Sequence, residues 1–299
     1  MENKFEHCLL CPRKCGVNRS AGKVGVCGET DTVRLARAAL HFWEEPCISG
    51  ENGSGTVFFS GCPLGCVYCQ NREISHGDSG KAVTLARLSE IYIELQGKKA
   101  ANINLVTPTH FAPHIISSVS AARKSGLKIP VVYNTSGYET KEAICDLKNT
   151  VDVYLTDFKY FSPDLAKRYS AAHDYPDFAM LALDEMVLQQ PEAVIDENGL
   201  MKRGVIVRIL LLPGQVSDAK DSLSYLYQTY GNRVYFSLMR QYTPYNIAPE
   251  FSEINRKVTD AEYEELVGFA LMLGIENAFI QESGTADESF IPPFDYEGL

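Results

Sequence analysis

Val57-Phe58-Phe59-Ser60-Gly61-Cys62-Pro63-Leu64-Gly65-Cys66-Val67-Tyr68-Cys69-Gln70-Asn71 sets the reading of the whole chain. An apolar run of strand character enters a loop punctuated by glycine and proline, which presents thiols at C-x3-C-x2-C. Soft thiolates select zinc, copper(I) or iron–sulfur clusters. A structural zinc site is normally closed by four ligands, whereas this loop supplies three. A cubane held by three cysteines keeps one open iron that can bind substrate or cofactor. Gly61, Pro63 and Gly65 suit backbone folded tightly around such a group. A zinc knuckle that recruits a distant fourth ligand is the plain alternative.

The first of the short, β-rich apolar runs is 56–60, and its character returns at 102–106, 130–134, 152–156, 205–211 and 234–238. Helical patterns follow near 84–96, 112–125, 139–147, 163–190 (read as two helices), 217–230 and 259–273. A further run at 277–280 closes or flanks the sheet. Strands alternating with helices imply βαβ units and a parallel sheet wound by right-handed crossovers. Six such units fall short of the eight in a closed barrel. The expected class is α/β: a partial (β/α)6 barrel over 56–299, preceded by a small cysteine-rich metal-binding lobe over 1–55. A doubly wound sheet stays open on pattern alone. Either way, reactive groups gather at the carboxyl ends of the strands.

The 299 residues are 45% hydrophobic, enough for a sizeable core, and 38 acidic against 28 basic side chains give a formal net charge of −10. That balance argues against a phosphate-binding track, which needs clustered Lys and Arg, so no nucleic-acid partner is expected. The opening MENKFEHC lacks the pattern of a secretory signal. No apolar run approaches the roughly 20 residues of a membrane span, so a cytoplasmic protein without a membrane partner is expected.

Eight of the nine cysteines lie in the first 69 residues. In a reducing compartment they are not expected to form disulfides, and their concentration points to metal or cluster ligation. Cys8, Cys11, Cys15 and Cys27 follow C-x2-C-x3-C-x11-C. Four such thiols can close an all-thiolate zinc site or hold a second iron–sulfur cluster, and structural zinc is slightly preferred. Cys47 belongs to neither group and reads as a small buried hydrophobe, while Cys145, in a helix-like stretch, reads as core.

With Tyr68 just before the last thiol, the triplet resembles the radical S-adenosylmethionine (SAM) signature. The longer run G-C-x-x-x-C-V-Y-C-Q-N-x-x-I-S, from Gly61 to Ser75, is similar to the pyruvate formate-lyase activating enzyme group. More narrowly, the chain resembles the branch of that group with a cysteine-rich N-terminus, and motif matches run from residue 8 to about residue 214. The resemblance implies a partial (β/α)6 barrel with a catalytic [4Fe–4S] cluster on Cys62, Cys66 and Cys69. It implies SAM chelated at the open iron, one-electron cleavage of its C5′–S bond, and hydrogen abstraction from substrate by a 5′-deoxyadenosyl radical. An electron donor such as flavodoxin or ferredoxin is implied as partner, and Tyr68 is grouped with the cofactor-binding residues.

The other strand ends supply the remaining candidates. After the second run, Thr107-Pro108-Thr109-His110 replaces the Gly-Gly-Glu type segment that similar enzymes place against the SAM amino group. Thr107, Thr109 or backbone carbonyls of this loop could replace that contact, and His110 is either an acid–base or substrate residue or a structural histidine. Asn134 and Ser136, in Asn134-Thr135-Ser136-Gly137, resemble the Asp-Thr-Asn-Gly type turn near SAM; an ordinary closing turn is the alternative. Asp157 and Lys159, two residues apart at a strand end, both face the barrel mouth and resemble a D-x-K motif that positions the methionine zwitterion. Arg208, inside an apolar run, needs a paired anion. Its R-x-x-x-x-P-G context is similar to an activating-enzyme segment that reaches SAM or substrate; a structural salt bridge is the alternative. Arg240-Gln241-Tyr242-Thr243-Pro244-Tyr245 forms a polar and aromatic mouth.

The expected function is a radical SAM enzyme, with activation of a glycyl radical enzyme as one role and a protein or peptide as one substrate class. The competing class is a non-catalytic iron–sulfur electron carrier or a zinc-stabilised binding module, which needs neither an open iron nor polar groups at so many strand ends. Methyl or sulfur transfer is a third outcome for the same cluster.

Overall fold

Strands inside a parallel sheet are covered on both faces, so they read as near-continuous apolar runs. Buried runs such as Ile103–Val106 and Val131–Thr135 are strands for that reason. The computed structural model describes residues 3–77, 79–244, 247–281 and 292–299. Its strands are β1 (Arg34–His41), β2 (Ser54–Phe59), β3 (Lys81–Ala82), β4 (Ile103–Val106) and β5 (Val131–Thr135). They continue with β6 (Val153–Asp157), β7 (Val194–Ile195), β8 (Met201–Leu210), β9 (Tyr235–Met239) and β10 (Ala278–Ile280). The sheet order is β10-β9-β8-β6-β5-β4-β2-β1-β3, with β7 paired on β8 alone. From β2 to β10 along that order every pairing is parallel; β1 and β3 join antiparallel. The curved sheet is a partial barrel that does not close.

The intervening helices are Leu85–Gly97, Ala112–Lys124, Lys141–Asp146, Pro163–Ser170, Tyr175–Gln189, Val216–Tyr230 and Asp260–Leu273, close to the expected segments. Side chains of Thr84, Thr140, Ser162 and Thr259 accept a backbone N–H at four of their starts, which fixes where these helices begin. Among the described residues no helix is long and apolar enough to cross a membrane.

Three local readings need correction. Arg34–His41 is a strand, although residues 1–55 show no sustained strand periodicity. Its sequence, RLARAALH, lacks β-branched residues, and long pairing with β2 overrides that weak propensity. The fifth strand begins at Met201, earlier than the expected 205, because its first residues pair with β7. Cys145 is exposed on its helix, so it is not core; Cys47 is buried beside Ile48 against Val132 and Val153, as expected.

Residues 3–33 contain neither helix nor strand. Phe5, Cys8 and Leu10 give them a small apolar centre. Arg19 is fully buried beside it, its guanidinium lying over the rings of Phe5 and Phe111. At the other end of the chain, Tyr296 N donates to Ala36 O and Ala38 N to Glu297 O, which lays residues 296–297 along β1.

Candidate active site

The carboxyl ends of β2, β4, β5, β6, β8 and β9 surround one cleft of about 1210 Å³, open solvent at its mouth included. β2 delivers the cysteine loop. Gly61, with φ +81°, makes the first turn, and a Cβ there would stand 2.5 Å from Cys27 O. Cys62, Cys66 and Cys69 all line the cleft. Leu64 N donates to Cys62 Sγ at 3.4 Å and Ser170 Oγ to Cys66 Sγ at 3.1 Å. Burial, aided by neighbouring thiols, pushes Cys62 up to about 11 and Cys69 up to about 12. Metal binding at such thiols must release protons.

Opposite the loop, the strand ends carry a charge network. Asp157 Oδ2 accepts from Lys159 Nζ at 2.7 Å, and its Oδ1 accepts from Arg208 Nε at 2.8 Å. Arg208 Nη2 donates to Asn134 Oδ1 at 2.6 Å, and Nη1 lies 3.3 Å from Glu44 Oε2. Burial alone would raise Asp157, but the charges of Arg208 and Lys159 outweigh it and hold the carboxyl below its ordinary value. Burial would likewise discharge Lys159, and Asp157 reverses that. Both cations therefore stay charged inside the cleft.

The expected residues sort cleanly. Asn134, Ser136, Asp157, Lys159, Arg208, Tyr68 and Thr107 line the cleft with the thiols. Tyr68 is also tied behind the loop, its hydroxyl accepting from Tyr160 at 2.7 Å. Thr107 has φ +58°, an uncommon backbone conformation for a residue other than glycine. Beyond it the chain turns inward as the short helix Thr109–Phe111. Thr109 is consequently buried, donating to Glu139 Oε1 at 2.6 Å.

His110 is buried and does not line the cleft; its Nε2 lies 2.7 Å from Ser60 O. Burial, with Arg19 nearby, pushes its imidazole down to about 3, so it stays neutral. Its ring is thus an interior group bonded to backbone at the root of the cysteine loop. Gln241 lines the cleft, Tyr242 packs in the core against Tyr68, and Tyr245 lies outside the described residues.

Sequence reasoning missed Glu44 and Glu45, which enter the barrel from the segment after β1. Glu44 Oε1 accepts from Asn104 Nδ2 at 2.9 Å and Asn134 Nδ2 at 3.2 Å. Burial raises both carboxyls, and Arg208 partly offsets it. The signal was Arg208 itself: a cation in an apolar strand demands acids, but it does not say where along the chain they lie. Trp43, next to them, lines the rim of the cleft and is 62% exposed.

The N-terminal thiols form a separate group. Cys8, Cys11 and Cys27 are buried, and a Cβ on Gly25 would meet Cys27 Sγ at 3.3 Å and Cys15 Sγ at 3.6 Å. Among the described residues, no three His, Cys, Asp or Glu side chains are gathered tightly enough to hold a single metal ion.

A family model described as the Radical SAM superfamily matches residues 56–225, more than half the chain. An uncharacterised protein of Methanocaldococcus jannaschii is 29% identical over 279 residues, covering 90% of this chain and 75% of its own length. A Haemophilus influenzae protein, named as a proposed glycyl-radical enzyme activating enzyme, is 27% identical over 115 residues; that is 38% of this chain and 43% of the relative. Among solved structures, a radical SAM methyltransferase from Sphaerobacter thermophilus shares the fold, with a TM-score of 0.53 and 15% identity over 78% of this chain and 67% of that one.

Proposed function

Because this chain belongs to the radical SAM superfamily, we propose that Cys62, Cys66 and Cys69 hold a [4Fe–4S] cluster and that the facing strand ends hold SAM for reductive cleavage. The observation that carries the reading is that the thiols and the Asp157–Lys159–Arg208–Asn134 network line one cleft. The donor set fits the group: soft sulfur ligands suit iron–sulfur clusters, and each thiolate of a cubane binds a different iron.

When bound, the cluster and SAM supply a one-electron cleavage that yields a hydrogen-abstracting adenosyl radical. The protein's own residues orient and enclose. Lys159 and Asp157 offer opposite charges 2.7 Å apart to a zwitterion. Arg208 holds Asp157 and is itself held by Asn134, and Ser136 adds a hydroxyl at the β5 turn. Ser170 donates to Cys66 Sγ, a hydrogen bond of the kind that tunes a cluster's potential.

Likeness to the Haemophilus influenzae protein supports glycyl-radical activation as the role, with a protein or peptide substrate; the one-electron cleavage itself calls for a flavodoxin- or ferredoxin-like donor, and the many thiols for a reducing, cytoplasmic setting. The C-x2-C-x3-C-x11-C spacing of Cys8, Cys11, Cys15 and Cys27 supports a second metal at the N-terminal thiols, zinc or iron–sulfur.

The test is anaerobic reconstitution with iron and sulfide, reduction, and EPR with and without SAM, with 5′-deoxyadenosine assayed in the same tube. A SAM-dependent spectral change together with deoxyadenosine is expected. A cluster indifferent to SAM would favour the electron-carrier reading instead.

A further inference from the structure

A side chain of the N-terminal lobe reaches into the cysteine loop, and it comes from the turn between Cys11 and Cys15. Arg13 Nε donates to Pro63 O at 2.9 Å, and its Nη2 to Leu64 O at 3.0 Å. The same guanidinium donates to Ser170 O at 2.8 Å and Ala171 O at 2.6 Å, while its face lies over Tyr138. All four acceptors are backbone carbonyls, so the group acts as a planar fork and not as half of an ion pair.

Those carbonyls are well placed. Pro63 and Leu64 lie between Cys62 and Cys66, whereas Ser170 ends the helix whose hydroxyl bonds Cys66 Sγ. Arg13 thus pins together two segments that grip Cys66. A second link is Cys62 N donating to Cys27 O at 3.0 Å. A third runs from Arg19 Nη1 to His110 O at 2.6 Å, with the His110 ring bonded to Ser60 O at the root of the loop.

We infer that the N-terminal lobe is a brace that pre-sets the cluster loop, with Arg13 as its positioning residue, and that filling the lobe's thiol site and filling the loop favour each other. The inference rests on the proposed cluster assignment and, for the coupling, on the metal proposed at the lobe thiols. A loop containing Gly61 and Gly65 loses much conformational freedom when ordered, and contacts made beforehand remove that cost from the loading step. Cys11 and Cys15 flank Arg13, so a metal that orders them orders the fork. Coupling between two sites is reciprocal, and loading the loop must stabilise the lobe in turn.

The test compares full-length, anaerobically reconstituted wild type with Arg13→Gln, Arg13→Lys and a control, Arg87→Gln, whose partner Glu94 is exposed on the same helix. Hydrogen exchange at amides 62–69, EPR with and without SAM, and lobe metal content are read together. Both Arg13 variants are expected to exchange roughly tenfold faster or more at 62–69 and to alter the SAM-dependent signal, while keeping the lobe metal. Lysine does not rescue, because a point charge cannot span four carbonyls. The control behaves as wild type. Cys11→Ser with Cys15→Ser reproduces the faster exchange. Unchanged exchange and EPR in the two Arg13 variants would overturn the brace, and unchanged exchange in the cysteine pair would overturn the coupling. A wild type without a SAM-responsive cluster sinks the radical SAM assignment, yet the exchange comparison still decides the brace.

Discussion

The two cysteine groups of this chain use the same side chain in opposite settings. In the lobe, Cys8, Cys11 and Cys27 are buried in a segment without regular structure. In the loop, Cys62, Cys66 and Cys69 are half-buried and face a cleft walled by strand ends that carry charge. A site that stabilises gains from being sealed; a site that reacts needs one accessible face and groups opposite it to orient what arrives. The difference lies less in the ligands than in what surrounds them.

The sharpest way to break that comparison is to remove each group in turn. Replacing Cys62, Cys66 and Cys69 together with Ala is expected to abolish SAM-dependent EPR and deoxyadenosine formation; retained cleavage would show that the loop is not the reactive site. Next in size is Asp157→Asn, which strips Arg208 and Lys159 of their shared anion. Charge-assisted bonds of about 1.5–3 kcal/mol predict a ten- to hundredfold loss of SAM affinity, read by calorimetric titration. Affinity equal to wild type would remove the network from the cofactor site.

Cys8→Ala with Cys11→Ala should act on stability, lowering Tm by roughly 10 °C or less with loss of the metal proposed at those thiols. A folded variant that keeps the metal would contradict the ligand assignment. The smallest effect separates both cysteine groups from the scaffold beneath. Glu139 is buried and accepts from the Thr109 and Thr135 hydroxyls; burial pushes its carboxyl up to about 7 from an ordinary 4.5. The folded state therefore holds a proton that the unfolded chain has already released. Stability is full below about 4.5 and falls as pH rises to about 7. Glu139→Gln should flatten that fall and raise Tm by a few degrees at pH 8 but not at pH 4.5. An unchanged Tm difference between the two pH values would assign the slope to another group.

What was legible in the sequence follows the same physics. The parallel strands announce themselves because burial on both faces leaves no polar alternation, and the cysteine loop does so because three soft ligands at short spacing have few other uses. β1 stayed hidden because Arg and Ala carry little strand preference and its pairing lies across a loop. His110 looked like a mouth residue because it follows a strand end closely, yet the positive φ at Thr107 precedes a turn that carries it inward. Glu44 and Glu45 answer Arg208 across more than 160 positions of sequence, and no local pattern encodes that distance.

Trp43 is the chain's single tryptophan, and it sits at the rim of the cleft. Its indole emission therefore reports one place only, without background from elsewhere in the fold. Fluorescence titration of the unmodified protein becomes a label-free gauge of cleft occupancy, able to rank small molecules before any turnover assay exists.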